Sequence, residues 1–377
     1  MPAYFDFNAT SPLSDAARAA WLDASARHWH NPSSLYREAG FAAQKLDAAR
    51  ERLAGLLGCE AQRIVFTSGA SESNNALFAS LPPDAQAAVS AIEHPSVREA
   101  AKSWTNQPVL EIPVNGQGVV EPDAVSQVIK THRPALISVM AANNESGGLQ
   151  PWAEIARLCE EQEVAFHCDA AQWLGKVPSD GLGQCHYLTG SAHKFGGPKG
   201  SGFLLLRDED EGLRFLRGGP QEHGRRAGTE NYPAIEAMVT ALETLVPSLP
   251  QIAEAQASLR NQFEQTLRSA MPGLRVIGET APRLWNTVLM VMPRHDNLKW
   301  LTRLSRQGFA ISTGSACSSG KEGSSVVVAA LGASWDELKR VVRISGGWQT
   351  SETEWQSLAE AFQQVGAGLD AGGKGGS

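Results

Sequence analysis

The 377-residue sequence contains no apolar run approaching the roughly 20 residues that a membrane-spanning helix needs. Its first residues, MPAYFDFNATSPL, lack the basic start and apolar stretch of a secretory signal. Cysteine is scarce. Five residues, with no CxxC pair and no metal-type spacing, exclude a small disulfide-stapled scaffold and disfavour an iron–sulfur protein. An excess of basic charge is also missing. Lys and Arg total 33 against 40 Asp and Glu, a formal net charge of -7 that gives no support to general nucleic-acid binding. No internal repeat is present. These absences point to a soluble cytoplasmic protein in a reducing compartment, and 42% hydrophobic residues suffice for a large core.

Between about residues 60 and 206, short β-rich runs alternate with helical patterns. IVFT (64–67), AAVSAI (87–92), VLEI (109–112), ALISVM (135–140), VAFHC (164–168), HYLTG (186–190) and GFLLL (202–206) read as strands. EPDAVSQVIK and PWAEIARLCEEQ between them read as amphipathic helices, the second opening on a proline suited to a first turn. The alternation predicts an α/β domain around a mostly parallel sheet, with ligands at the carboxyl ends of the strands. Residues 37–57 form a long helical pattern ended by Gly58, and 233–271 a second one broken near Pro247 and Pro250. From about 275 a smaller α/β unit follows: a strand over 285–292, helices over 297–308, 325–331 and 351–366, and a strand over 341–345. The last seven residues, AGGKGGS, are too poor in apolar side chains to build a core and read as a disordered tail.

Chemistry-bearing residues follow the strands. Thr67-Ser68-Gly69-Ala70-Ser71 makes a small-residue turn into a helix start, which serves either as a simple cap or as a cradle for phosphate. Asp169, at the end of VAFHCD, is either a helix cap or a working carboxylate. Lys194, in Gly190-Ser191-Ala192-His193-Lys194-Phe195-Gly196, sits among small residues after an apolar strand, an unusual place for a solvated lysine. A partly desolvated amine of this kind can lose its proton and join an aldehyde, as lysine does with pyridoxal 5'-phosphate. Such a cofactor needs an amine, an acid for its ring nitrogen, donors for its phosphate and a group over its ring. His94, after the strand ending at Ile92, can supply the last. Cys317, within STGSACSSG (312–320), is a soft nucleophile among residues too small to pack it; read alone it is an incidental loop thiol or a mobile reactive one.

These segments closely resemble the cysteine desulfurases, pyridoxal-phosphate enzymes of fold type I in the class-V aminotransferase group. The motifs are TSGASESNN (67–75), EHPSV (93–97), NNESG (143–147), HCDAAQ (167–172), GSAHKFGGPKG (190–200), RRAGTEN (225–231) and GSACSSG (314–320), and the likeness runs from Phe5 to the strand of Arg343. The resemblance implies a large cofactor-binding domain over 14–255 with a mostly parallel sheet. It also implies a small domain over 256–370 joined by residues 1–13, and leaves 371–377 as the tail. It makes Lys194 the cofactor lysine, Asp169 the partner of the ring nitrogen, and His94 the residue over the ring and an aid to proton transfer. Gln172 and Asn144 would contact the ring oxygen and the substrate region. Ala70, Ser71, Ser191 and His193 would hold the phosphate, with Thr229 reaching the phosphate of the neighbouring subunit in a homodimer with shared sites. Arg343 would clamp the carboxylate of L-cysteine. Cys317 would take the substrate sulfur as a persulfide, releasing alanine, and pass it to an acceptor protein. The chain departs from the pattern at Tyr36, at Lys321-Glu322-Gly323-Ser324-Ser325 and at Gly346. Those departures leave open the acceptor and the choice between iron–sulfur assembly and a specialised pathway. Selenocysteine lyase, another fold type I enzyme and an inactive scaffold remain the alternatives.

Overall fold

A computed structural model of the chain describes residues 3–207, 213, 215–314 and 325–372. From the N-terminus, β1 (Ala3–Tyr4) is followed by α1 (Asp15–Arg27) and α2 (Arg37–Leu57). The alternating region then gives β2 (Ile64–Thr67), α3 (Ala70–Ser80), β3 (Ala87–Ser90), α4 (Pro95–Trp104), β4 (Leu110–Ile112), α5 (Pro122–His132), β5 (Leu136–Ser138), α6 (Trp152–Glu161), β6 (Ala165–Asp169), β7 (Tyr187–Ser191) and β8 (Gly202–Leu205). Two helices, α7 (Tyr232–Leu245) and α8 (Leu249–Ala270), lead to β9 (Arg275–Val276), β10 (Thr287–Val291), α9 (Asn297–Arg306), β11 (Phe309–Ala310), α10 (Val326–Ala330), α11 (Trp335–Leu338), β12 (Val341–Ser345) and α12 (Glu352–Gly372).

Local chemistry explains the boundaries. Ser14 caps α1 by accepting the Ala17 N–H, and α2 stops at Gly58, whose φ of 72° suits a residue without Cβ. Pro95 occupies the first turn of α4, where a missing N–H costs nothing. The predicted run 87–92 forms a strand only to Ser90. Asp169 is followed by tight turns rather than by the expected helix, with Trp173 and Leu174 donating to the Ala170 carbonyl. Helix α8 passes through the predicted 255/256 boundary, and α12 continues to Gly372, two residues into the segment assigned to the tail.

The large sheet has the order β2-β8-β7-β6-β5-β3-β4, and β8 alone runs antiparallel to its neighbours. Its core includes Phe66, Phe166, Leu188, Phe203 and Leu205, and α1 lies on α7 through Ala17 and Ala24. A second core around Phe5, Val288, Met290, Trp355 and Phe362 belongs to the antiparallel sheet β12-β10-β9. The N-terminal segment joins this smaller unit, β1 pairing with β11 and Asp6 bridging to Ser345. The Gly346 departure has a steric reason here: a Cβ on Gly346 would lie 2.8 Å from Trp355, and one on the neighbouring Gly347 2.2 Å from the Phe7 ring. No helix among the described residues is long and apolar enough to cross a membrane.

Candidate active site

The carboxyl ends of β2, β6 and β7 open into a cavity of about 520 Å³. Its lining includes Lys194, Asp169, His94, Gln172, Asn144 and Arg343, drawn from both sheets. Lys194 lies in the turn after β7, and its Nζ donates to the Asn8 and Ala9 carbonyls at 2.7 and 2.9 Å. Asp169 ends β6 and is buried; Asn74 Nδ2 donates to its Oδ2 at 3.2 Å and the Ala171 N–H to its Oδ1 at 3.0 Å. Both groups donate to the carboxylate, which still lines the cavity.

At the other end, Ser68, Gly69, Ala70 and Ser71 open α3, an 11-residue helix whose free N–H groups favour an anion. Gly69, at φ 141°, makes the turn, and Gly202 of β8 comes so close that a Cβ there would sit 2.6 Å from Gly69 Cα. Ser191, His193 and Lys199 border the same end. His193 Nδ1 is 3.1 Å from Thr10 Oγ1, and burial together with Lys194, Lys199 and Lys176 pushes its pKa down to about 4. A hydroxyl-, amide- and amine-lined end facing a carboxylate end suits a phosphorylated, protonated heterocycle, so the residues present fit pyridoxal 5'-phosphate.

Gln172 has a fixed amide. Its Nε2 donates to the Asn8 carbonyl at 2.9 Å, while its Oε1 accepts from Lys176 Nζ at 2.7 Å. Lys176 is buried, and desolvation with the nearby Lys194 and Arg343 cations holds its pKa well below the ordinary lysine value. Arg343 is 1% exposed. Its Nη2 donates to Asp6 Oδ1 at 2.6 Å and its Nη1 to the Asn144 carbonyl at 3.0 Å, whereas its buried Nε has no partner among the described residues. That orphan donor at the cavity edge is suited to an added carboxylate.

Thr229 is exposed and does not line this cavity, although Arg226 of the same segment binds Glu72 of α3 at 2.9 Å. Burial opposes ionisation of Glu72, but Arg226 and the Ser68 donors outweigh it and its pKa falls. Cys317 and the departure at 321–324 lie outside the described residues. Gly314, at φ 99°, and Ser325, which donates to the buried Glu145 carboxylate, flank them. Sequence reasoning gave no role to Asp6, Asn8, Asn74, Ser96 or Lys176. Asn74 and Ser96 stand within the motifs TSGASESNN and EHPSV, and Lys176 carried a signal of its own, a lysine four residues beyond Gln172 in an apolar stretch.

The aminotransferase class-V family model matches residues 3–358. The chain is 38% identical over 360 residues to a cysteine desulfurase of Klebsiella pneumoniae, covering 93% of this chain and 89% of that one. It is 33% identical over 372 residues to a cysteine desulfurase of Trichormus azollae, covering 96% and 92%. The NifS-like protein of Rickettsia africae superposes with a TM-score of 0.88 at 27% identity, covering 97% of this chain and 99% of that one.

Proposed function

The chain belongs to the class-V aminotransferase family, among the cysteine desulfurases, and from that premise we propose that it takes sulfur from L-cysteine with pyridoxal 5'-phosphate. The products are L-alanine and a persulfide on Cys317. The observation that carries this reading is the meeting of Lys194, Asp169, His94, Gln172 and Arg343 around one cavity with an anion cradle at its far end. When bound, the cofactor supplies an electron-accepting ring that stabilises negative charge at the substrate α-carbon.

The protein's own groups do the rest. Ala70, Ser71, Ser191 and His193 hold the phosphate, Asp169 keeps the ring nitrogen protonated, and Gln172 and Asn144 contact the ring oxygen and substrate. His94, which lines the same cavity, would stack against the ring. Arg343 takes the substrate carboxylate, for which its Nε, without a partner among the described residues, is suited. Lys194 would hold the cofactor through its amine and would move protons at the substrate α-carbon. The Cys317 thiolate, the reactive form of the thiol, bonds to the substrate sulfur as the Cβ–S bond breaks. The electron pair of that bond and a proton complete the alanine methyl group, so no external oxidant is required.

The protein acts as a homodimer in which Thr229 serves the partner's phosphate; its exposure, and the exposed Trp29, Leu35 and Tyr36, support a surface of this kind. A division into a large unit over 14–255 and a small one over 256–370 with 1–13 draws support from the cores around Phe166 and around Val288 and Phe362, which a further cluster of Ile92 and Met140 against Leu289 and Val341 ties together. A reducing cytoplasmic setting fits the buried thiols of Cys159, Cys168 and Cys185, and the persulfide passes to an acceptor protein. The test is alanine formation from L-cysteine by wild type, Lys194→Ala and Cys317→Ala, with a thiol reductant present to release sulfide. Both variants are expected to lose turnover. Full desulfuration by Cys317→Ala refutes the nucleophile, and a purified wild type without bound cofactor refutes the enzyme class.

A further inference from the structure

His94 and Asp169 are joined by side chains that have no part in the reading above. The Ser96 N–H donates to His94 Nδ1 at 3.1 Å, and Ser96 Oγ lies 2.8 Å from the same nitrogen. Asn74 Nδ2 donates both to Ser96 Oγ at 2.9 Å and to Asp169 Oδ2 at 3.2 Å. Asn74 Oδ1 accepts from Thr189 Oγ1 at 2.9 Å. Thr189 Oγ1 is in turn 3.1 Å from His167 Nε2, and His167 Nδ1 is 2.8 Å from Ser138 Oγ. Asn74, Thr189, His167 and Ser138 are all fully buried.

Donor counting leaves one arrangement of protons. A backbone N–H can only donate, so His94 Nδ1 must present its lone pair. The amide of Asn74 cannot be reversed, because its oxygen would then face the Asp169 carboxylate. Its N–H occupies a lone pair of Ser96 Oγ, which turns the Ser96 hydroxyl proton towards His94 Nδ1. Thr189 spends its proton on Asn74, so it accepts from His167 Nε2–H and Ser138 donates to His167 Nδ1. We propose that Asn74 and Ser96 are positioning residues that fix His94 as a neutral imidazole with its proton on Nε2, so that it meets the reaction as a donor and not as its base. The proposal rests on the reading of His94 as the residue beside the cofactor. Among the described residues, the charged groups acting on this ring include Asp169 at the end of β6 and Lys194 after β7. Burial, the largest influence, lowers its pKa, Asp169 raises it and Lys194 lowers it, with a net fall. The base that takes the α-proton is then Lys194.

The proposal is tested on holoenzyme carrying ¹⁵N-histidine, with His94 identified by comparison with His94→Gln. In the wild type, two-bond nitrogen–proton correlations are expected to show Nε2 protonated and Nδ1 not. Ser96→Ala removes one neutral donor to Nδ1 and should raise the pH at which His94 titrates by about 0.7 unit. Ser96→Thr, which keeps the hydroxyl, should titrate as wild type, and Asn74→Ala should shift in the same direction as Ser96→Ala. A proton on Nδ1 in the wild type overturns the proposal without any variant, as does an unmoved titration in Ser96→Ala with an unchanged circular dichroism spectrum. Alanine yield from L-cysteine on the same samples separates the two ideas. Absent alanine with the Nε2–H form intact refutes the desulfurase reading and supports the positioning, whereas normal alanine with an Nδ1–H form does the reverse.

Discussion

Arg50→Met is expected to lower folding stability by about 3–5 kcal/mol. Arg50 Nη1 and Nη2 meet Glu222 Oε2 and Oε1 at 2.8 and 2.9 Å, with side chains only 6% and 2% exposed. Nη1 also donates to the Ile64 carbonyl at 2.7 Å, and the guanidinium lies 4.6 Å from the centre of the Phe66 ring. Without Arg50, the Glu222 carboxylate stays buried with the Phe66 N–H as its remaining donor among the described residues. The loss is therefore mainly the cost of an orphaned charge, not the worth of the pair. Glu222 and His223 have φ of 51° and 58°, left-handed conformations that cost about 1–3 kcal/mol each and persist only while neighbours hold them. Once the pair is gone, residues 222–230 should loosen first, and trypsin should cut after Arg225 or Arg226 sooner. Urea unfolding followed by circular dichroism measures the total. Glu222→Gln added to Arg50→Met should recover about 1–3 kcal/mol, since a neutral amide tolerates the site better than a lone carboxylate. A loss below about 1 kcal/mol in Arg50→Met, or a double variant no more stable than the single, refutes this account.

His167 is fully buried, and desolvation pushes its pKa from 6.5 down to about 4, with Asp169 pulling weakly the other way. The unfolded chain thus binds the extra proton first, and up to about 3 kcal/mol of stability present above pH 6.5 is lost as pH falls towards 4; His167→Gln should flatten that slope in urea melts, and equal slopes would rule the effect out. Gly190→Ala places a methyl 2.3 Å from Phe203 Cε1 and should destabilise by about 1–3 kcal/mol, read as a fall in melting temperature. Trp29→Asp with Leu35→Asp should convert a dimer to monomers in sedimentation velocity, since these side chains are 68% and 103% exposed; an unchanged sedimentation coefficient would move the interface elsewhere. Lys176→Met should weaken retention of pyridoxal phosphate by up to about tenfold through a freed Gln172 amide, while the cofactor-free protein loses little stability because a costly buried amine is gone.

Much of the large sheet was legible because its strands are short apolar runs between turn residues, a pattern set by local composition. Lys194 and Asp169 were legible for the same reason: each breaks an apolar run at a strand end, where ligands collect. Helix α1 was not. Its sequence, DAARAAWLDASAR, buries only Ala17 and Ala24, so it has almost no apolar stripe and gains its place by packing on α7. The helix expected after Asp169 gives way to turns because its side chain binds the Ala171 N–H and Gly175, at φ 70°, interrupts the run. Lys176 and Asn74 matter through what they do to Gln172 and to Ser96, relations between distant segments that residue type alone does not express.

The N-terminal segment shows why such relations escape a pattern search. Asn8 accepts through its carbonyl from Lys194 and Gln172 of the large sheet, and its Nδ2 donates to Thr287 of the small sheet and to the Asn144 carbonyl. Two residues earlier, Asp6 binds Arg343 of β12, and three later Ser11 donates to the His193 carbonyl and accepts the Gly196 N–H. The distance between the amine that would carry the cofactor and the arginine that would hold the substrate is thus set by six residues of chain bonded to both. Several of these contacts are made by backbone carbonyls, which every residue possesses. A substitution at Asn8 or Asp6 removes side-chain ties only, so the lacing as a whole tolerates single changes, whereas the carboxylate of Asp6 is the one member whose charge reaches the substrate end directly. The architecture of the site is in this sense a property of one short extended segment, and its chemistry a property of the strand ends that segment brings into register.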